Sequence, residues 1–201
     1  MYKFFFKSFF DWIGALLLLI LFSPIWIVLL IIQLFATKGN VFFFQQRPGL
    51  HAKPFVLIKF RNMNEKKDPN GILLPEQDRI TPMGKFLRKT NLDELPQLIN
   101  VLKGEMSMVG PRPLLMDYLN LYNEKQHKRH LVKPGLTGWA QINGGNDLPW
   151  EKKFEYDLDY VERLSFYFDL KIIAITIWKI ITLKGFNTGK IIIGKFKGNT
   201  N

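Results

Sequence analysis

From Trp12 through Thr37 the chain carries no charged side chain, and the run is mostly Leu, Ile, Val and Phe. Such a stretch is read as a membrane segment. It outruns the roughly 7–15 apolar residues of a signal peptide, and no Ala-x-Ala site follows it. As one helix rising about 1.5 Å per residue it would reach roughly 39 Å against an apolar bilayer thickness of about 30 Å, so length permits a crossing. Pro24 at its centre removes a backbone hydrogen bond and clashes with the preceding turn, which predicts a bend at Ser23-Pro24. The Ser23 hydroxyl can satisfy a carbonyl freed there. Lys3 and Lys7 precede the run, and Lys38, Arg47, Lys53, Lys59 and Arg61 follow it before the next acid, Glu65. Basic residues on both sides suit a re-entrant hairpin, whereas a spanning helix carries its excess on one side. The physics of the segment alone leaves both open.

The rest of the 201 residues has room for one modest core. With 28 Lys and Arg against 17 Asp and Glu, the formal charge is +11 and an anionic partner is expected. Nucleic acid, a phospholipid surface and a nucleotide-sugar all fit that charge. The absence of cysteine excludes a disulfide framework, a Cys-ligated metal and thiol catalysis. Val41–Gln45 and Pro54–Phe60 are short aromatic and β-branched runs either side of Arg47-Pro48-Gly49, which predicts a hairpin. Asn64 to Asp78 reads as a turn-rich loop. Helical periodicity covers Met83–Arg88, Leu95–Leu102, Leu114–His130, Trp150–Leu164 and Asp169–Leu183. In the last of these Ile172, Ile173, Ile177, Ile180 and Ile181 fall near one face, suited to a core or to a membrane interface. The tail from Gly185 is expected to be loosely ordered. The fold class is therefore α/β, mainly helical with a small β-hairpin. An anchor occupies residues 1–38, a compact domain 39–184 and a tail 185–201.

The chemistry concentrates in Asn91–Pro113, where the adjacent carboxylates Asp93-Glu94 are followed by Arg112 between two prolines. The pair can supply a nucleophile and a metal or proton ligand, and Arg112 a pre-set fork for a phosphate, a combination that points to phosphoryl transfer. The plainer reading of Asn91-Leu92-Asp93-Glu94 is a capping box at a helix start, where the dipole favours ionised carboxylates. Pro113 likewise suits the first position of a helix beginning at Leu114. Both plain readings are compatible with the functional ones.

These segments closely resemble the catalytic signature of the bacterial sugar transferases, the small monotopic phosphoglycosyl transferases, and most nearly the undecaprenyl-phosphate N,N'-diacetylbacillosamine 1-phosphate transferase type. Lys59-Phe60-Arg61, Lys103–Ser107, Lys133–Gly144 and Phe154–Tyr160 match further motifs of that family. Two departures stand out: Glu105 often appears as Asp in relatives, and Asn143-Gly144-Gly145-Asn146 lacks the arginine of a common Asn-Gly-Arg-Asn. The glycines of Lys133–Gly144 would let backbone approach a ligand, with Trp139 against a base or at the lipid interface, or else form a tight connection around a core tryptophan.

The resemblance implies a re-entrant anchor broken at Ser23 and Pro24, with a cytosolic catalytic domain and interfacial amphipathic helices. It implies that a UDP-sugar binds through Lys59, Arg112, Gln141 and Asn143, that Asp93 attacks the β-phosphate, and that UMP leaves an aspartyl-phosphosugar. Undecaprenyl phosphate then takes the phosphosugar. Glu94 would serve as metal ligand or proton acceptor, and Mg²⁺ would be held by Asp93 and Asp157, the latter alternatively holding an arginine. The location implied is the cytoplasmic face of the bacterial inner membrane, alongside downstream glycosyltransferases. Two readings from other classes fit less well. A membrane-tethered nucleic-acid module explains the charge, but no zinc-finger, RRM or KH signature is present and the basic residues are dispersed, so no nucleic acid partner is expected. A non-catalytic scaffold explains the anchor but not the carboxylate pair beside Arg112.

Overall fold

The computed structural model describes residues 2–182 and 194–199. A π-helical turn at Tyr2–Phe6 feeds α1 (Lys7–Leu21), which passes through Phe22 into α2 (Ser23–Ala36). β1 (Phe42–Pro48) and β2 (Pro54–Phe60) follow, then α3 (Glu76–Arg79), α4 (Pro82–Thr90), a 3₁₀ turn at Leu92–Glu94 and α5 (Gln97–Leu102). After β3 (Ser107–Val109) come 3₁₀ turns at Met116–Leu121 and Lys128–Leu131 on either side of α6 (Glu124–His127). β4 (Gly135–Thr137), α7 (Trp139–Ile142), α8 (Trp150–Arg163) and α9 (Phe166–Ile181) complete the order.

β1 and β2 pair antiparallel from Phe42 opposite Phe60 to Pro48 opposite Pro54, so the expected hairpin is present. Arg47 and Pro48 belong to its first strand and not to its turn. A second, unanticipated pair is parallel, with Ser107 opposite Gly135 and Val109 opposite Thr137.

The apolar run breaks where proline dictates. α1 and α2 meet at 67°, and together they pass the length and composition expected of a membrane segment. Among the described residues no single helix is long and apolar enough to cross a membrane. Ser23 Oγ donates to Ile20 O at 2.8 Å, and Pro24 sits in the first turn of α2, where its missing N–H costs nothing. Each arm docks on the body along one stripe. Ala15 is fully buried with Phe55, Leu57, Leu98, Val101 and Met106, and Leu29 is buried with Val41, Phe60 and Leu87. The opposite faces expose Leu17, Leu21, Ile27, Ile31 and Phe35.

The stripe on α1 is not wholly apolar. Lys7 and Asp11, one turn apart, are buried ahead of Ala15. Lys7 Nζ lies 2.7 Å from Asp169 Oδ2, which also accepts from the Tyr2 hydroxyl at 2.6 Å, while Asp169 Oδ1 accepts from the Tyr160 hydroxyl at 2.7 Å. Asp11 Oδ1 accepts from Met108 N at 3.0 Å. Lys7, counted from sequence in the basic flank of the apolar run, is an internal ion-pair partner.

Three further expectations change. Leu114–His130 is not one amphipathic helix: the backbone is extended at Leu115 and again at Tyr122, and Asn123 caps α6 through a capping box with Gln126. This bends the segment so that Tyr118 and Tyr122 enter an aromatic cluster with Phe154 and Phe196. In α9, Ile172 is fully buried but Ile177, Ile180 and Ile181 are exposed, so these isoleucines do not share one environment. The loose tail is corrected for residues 194–199, since Phe196 is buried and Gly194 O accepts from Trp150 Nε1 at 2.9 Å. The rest of the tail lies outside the described residues.

Replacing Lys7 with Met leaves the buried Asp169 carboxylate without its cation and is expected to cost about 3–5 kcal/mol of stability. Thermal unfolding in detergent micelles checks this against Lys66→Met, an exposed change expected to stay within about 0.5 kcal/mol.

Candidate active site

Asp93 and Glu94 sit in the 3₁₀ turn between α4 and α5. The capping box expected there does not form, because Asn91 takes a left-handed conformation (φ 56°) to end α4 and its side chain caps nothing. Asn is among the few non-glycine residues that adopt this conformation readily. The turn points the two carboxylates into different surroundings.

Glu94 is clamped. Its Oε1 accepts from Lys59 Nζ on β2 at 3.0 Å and from Arg112 Nη2 at 2.6 Å, and its Oε2 accepts from Arg112 Nη1 at 3.3 Å. Its side chain is 14% exposed. Burial opposes ionisation, but Arg112 and Lys59 together hold the carboxyl far below the usual range. Glu94 in turn raises the Arg112 guanidinium above its ordinary value.

Asp93 is 7% exposed. Its Oδ2 accepts from Asn62 Nδ2 at 2.9 Å, and this is its one hydrogen bond among the described residues. Burial first, and the Glu94 charge second, push its pKa up; Lys59, Asn62 and Arg112 offset part of that. The helix-terminus argument from sequence had the opposite sign for this residue, because the turn is tight, the following helix is only six residues long, and desolvation outweighs its dipole. Asp93 is therefore a buried carboxylate with Oδ2 held and, among the described residues, no hydrogen bond to Oδ1.

Arg112 is delivered by backbone. Neither Pro111 nor Pro113 has an N–H, so the limb is fastened through its carbonyls. Pro111 O accepts from Gly135 N at 3.0 Å, Arg112 O from Arg129 Nη2 at 2.7 Å, and Pro113 O from Arg47 Nη1 at 3.3 Å. The glycines of the Lys133–Gly144 block serve this limb: a Cβ on Gly135 would fall 2.0 Å from Gly110 N, and one on Gly138 2.2 Å from Gly110 O. Their close approach is to the protein's own backbone. Pro113 starts no helix.

Asp157 is paired with Arg129, whose Nε and Nη2 both donate to Asp157 Oδ2, at 3.0 and 2.7 Å. The structure places this residue against an arginine, one of the partners expected from sequence. Among the described residues no group of three or more His, Cys, Asp or Glu is arranged to hold a metal. Gln141 and Asn143 share no hydrogen bond with the carboxylates among the described residues. Gln141 Nε2 donates to Leu136 O at 3.0 Å and Asn143 Nδ2 to Trp139 O at 2.7 Å, both within their own loop. Trp139 is half-buried, with its ring packed against Phe168 and Tyr156. Sequence reasoning missed Asn62, Arg47 and Arg129, since single polar residues carry no spacing signal.

Residues 2–183 match the family model described as bacterial sugar transferase. An uncharacterized sugar transferase of Bacillus subtilis, EpsL, is 51% identical over 194 residues, which is 96% of this chain and 96% of that protein. The UDP-glucose:undecaprenyl-phosphate glucose-1-phosphate transferase of Escherichia coli is 41% identical over 179 residues, 84% of this chain. This chain spans only 39% of that protein's length. The exopolysaccharide production protein ExoY of Rhizobium meliloti is 37% identical over 196 residues, 89% of this chain and 87% of the relative.

His130, beside the Arg112 limb, gives the site's support a pH signature. Burial, with Arg129 next to it, pushes its pKa from 6.5 down to about 4. The unfolded chain therefore takes up a proton in this window that the folded protein refuses, and stability falls as pH drops from 6.5 towards 4, by at most about 3 kcal/mol. His130→Phe is expected to flatten that part of the stability curve, measured as denaturant midpoints at pH 7 and pH 4.5.

Proposed function

The chain belongs to the bacterial sugar transferase family, and we propose that it moves a sugar 1-phosphate from a UDP-sugar to undecaprenyl phosphate. The observation that carries this reading is the division of labour in the turn: Glu94 locked between two cations, Asp93 buried with no hydrogen bond to Oδ1 among the described residues. Lys59 and Arg112 are near enough to act on the Asp93 charge, which supports their meeting a diphosphate there, and Arg112 suits bidentate binding of phosphate oxygens.

In the first half-reaction, Asp93 Oδ1 attacks the β-phosphorus, a new O–P bond forms, and the bond to the bridging oxygen breaks, so that UMP leaves with that oxygen. In the second, a phosphate oxygen of undecaprenyl phosphate attacks the same phosphorus and releases Asp93. The acceptor is already an anion and needs no strong base. Glu94, held strongly acidic by its two cations, suits the role of positioning Lys59 and Arg112 better than that of proton acceptor.

Mg²⁺ usually binds one or two carboxylates, several waters and substrate phosphates, and Asp93 with a bound diphosphate fits such a donor set. It would offset the negative charge gathering there. Asp157, tied to Arg129, stands outside that set and supports Arg112 instead.

The bent α1–α2 pair, with apolar outer faces and buried inner stripes, supports a re-entrant anchor for residues 1–38. The catalytic domain, 39–184, would lie on the cytoplasmic face of the bacterial inner membrane, where the acceptor's phosphate meets a soluble nucleotide-sugar.

The test is UMP release from a panel comprising UDP-glucose, UDP-N-acetylglucosamine, UDP-N-acetylgalactosamine and UDP-N,N'-diacetylbacillosamine. One or more donors are expected to turn over with undecaprenyl phosphate and Mg²⁺, with ping-pong kinetics. Asp93→Asn is expected to lose at least about a thousandfold in kcat while keeping its melting midpoint, since the amide preserves shape and removes the nucleophile. Strictly sequential kinetics, or an Asp93→Asn enzyme with several per cent of parental activity, would rule out the covalent route.

A further inference from the structure

Asn62, the residue after the Lys59-Phe60-Arg61 motif, is 8% exposed and directs its Nδ2 at Asp93 Oδ2. Its own Oδ1 is buried without a hydrogen-bond partner, so the amide satisfies the carboxylate at the expense of its carbonyl end. The backbone beneath it is closed in. Asn62 O accepts from Thr81 N at 3.0 Å and Thr81 Oγ1 at 3.3 Å, and a Cβ on Gly84 would fall 2.0 Å from that oxygen, so only glycine lets α4 pack here.

The preceding carbonyl, Arg61 O, accepts from Gln33 Nε2 at 3.0 Å. Gln33 lies on the second arm of the anchor, is 1% exposed, and also leaves its Oε1 buried and unpartnered. A polar amide in an otherwise apolar run, facing inward and spent on one backbone carbonyl, is not required for insertion into a bilayer, which an aliphatic residue would favour more.

We propose that Asn62 is a positioning residue that holds Asp93 Oδ2 and so presents Oδ1 to the phosphorus, and that Gln33 fixes the place of Asn62 from the anchor. The broken helix then aligns the nucleophile as well as tethering the domain. This inference rests on Asp93 being the nucleophile.

The experiment is quench-flow measurement of the UMP burst without acceptor, using full-length protein in lipid nanodiscs and the UDP-sugar that the parent uses best. Asn62→Ala is expected to slow the burst about tenfold or more with KM for the donor within about twofold, as loss of one hydrogen bond to a reacting carboxylate implies. Asn62→Asp is the decisive comparison. It keeps the shape but turns the donor into an acceptor facing Asp93, and is expected to be slower than Asn62→Ala; a merely structural role would rank them the other way. Gln33→Leu is expected to slow the burst several-fold with an unchanged membrane fraction. Parental burst rates in both Asn62 variants, or Asn62→Asp faster than Asn62→Ala, would overturn the proposal while leaving the nucleophile reading intact. A parent enzyme with no burst would overturn both.

Discussion

One carboxylate facing two cations organises the candidate site. Glu94 draws Lys59 from the hairpin and Arg112 from the limb after β3 to within 3.0 and 2.6 Å of the same oxygen. A solvated ion pair would contribute little, but Glu94 and Lys59 are largely shielded, and the contact with the more exposed Arg112 is two-pronged. The arrangement also gives the two acids different surroundings. Clamping holds the Glu94 carboxyl far below the usual range, and the same two cations offset part of the rise that burial imposes on Asp93. Two adjacent acids thereby have different pKa directions, the usual mark of different roles.

Around that clamp the protein builds stiffness from backbone contacts. The Pro111-Arg112-Pro113 limb has its three carbonyls held by a glycine N–H and two arginines, and the arginine beneath Arg112 is itself fixed by the buried Asp157. Gly110, Gly135 and Gly138 approach so closely that any side chain would force β3 and β4 apart. The anchor enters the same scheme, because Asp11 on one arm binds Met108 N and Gln33 on the other binds Arg61 O. Each contact lies within a few residues of a candidate catalytic group.

Local signals in the sequence were legible where local physics decides. Alternating aromatic and β-branched residues gave the hairpin, a proline in an apolar run placed the bend, and amphipathic spacing located α8 within a residue at its C-terminal end. The motif around Asp93, Glu94 and Arg112 marked residues that the fold does gather. What the sequence hid depends on distant partners. Lys7 reads as part of a basic flank until Asp169, 162 positions away, is seen to accept from it. Leu114–His130 has helical spacing, yet Asn123 prefers to cap and two tyrosines are drawn into an aromatic cluster. Trp139 and its glycines carry two readings in sequence, because a tight backbone crossing and a ligand cradle ask for the same residues; the crossing is seen at Gly135 and Gly138.

The central claim is that Asp93, and not its neighbour, carries the phosphosugar. The most direct test is mass spectrometry of acid-quenched protein after incubation with its UDP-sugar and no acceptor, with fragment ions that separate Asp93 from Glu94. The account predicts a phosphosugar adduct on Asp93, at up to one per chain, that disappears when undecaprenyl phosphate is added. An adduct on Glu94, or none at all while UMP is still produced on adding acceptor, would contradict it.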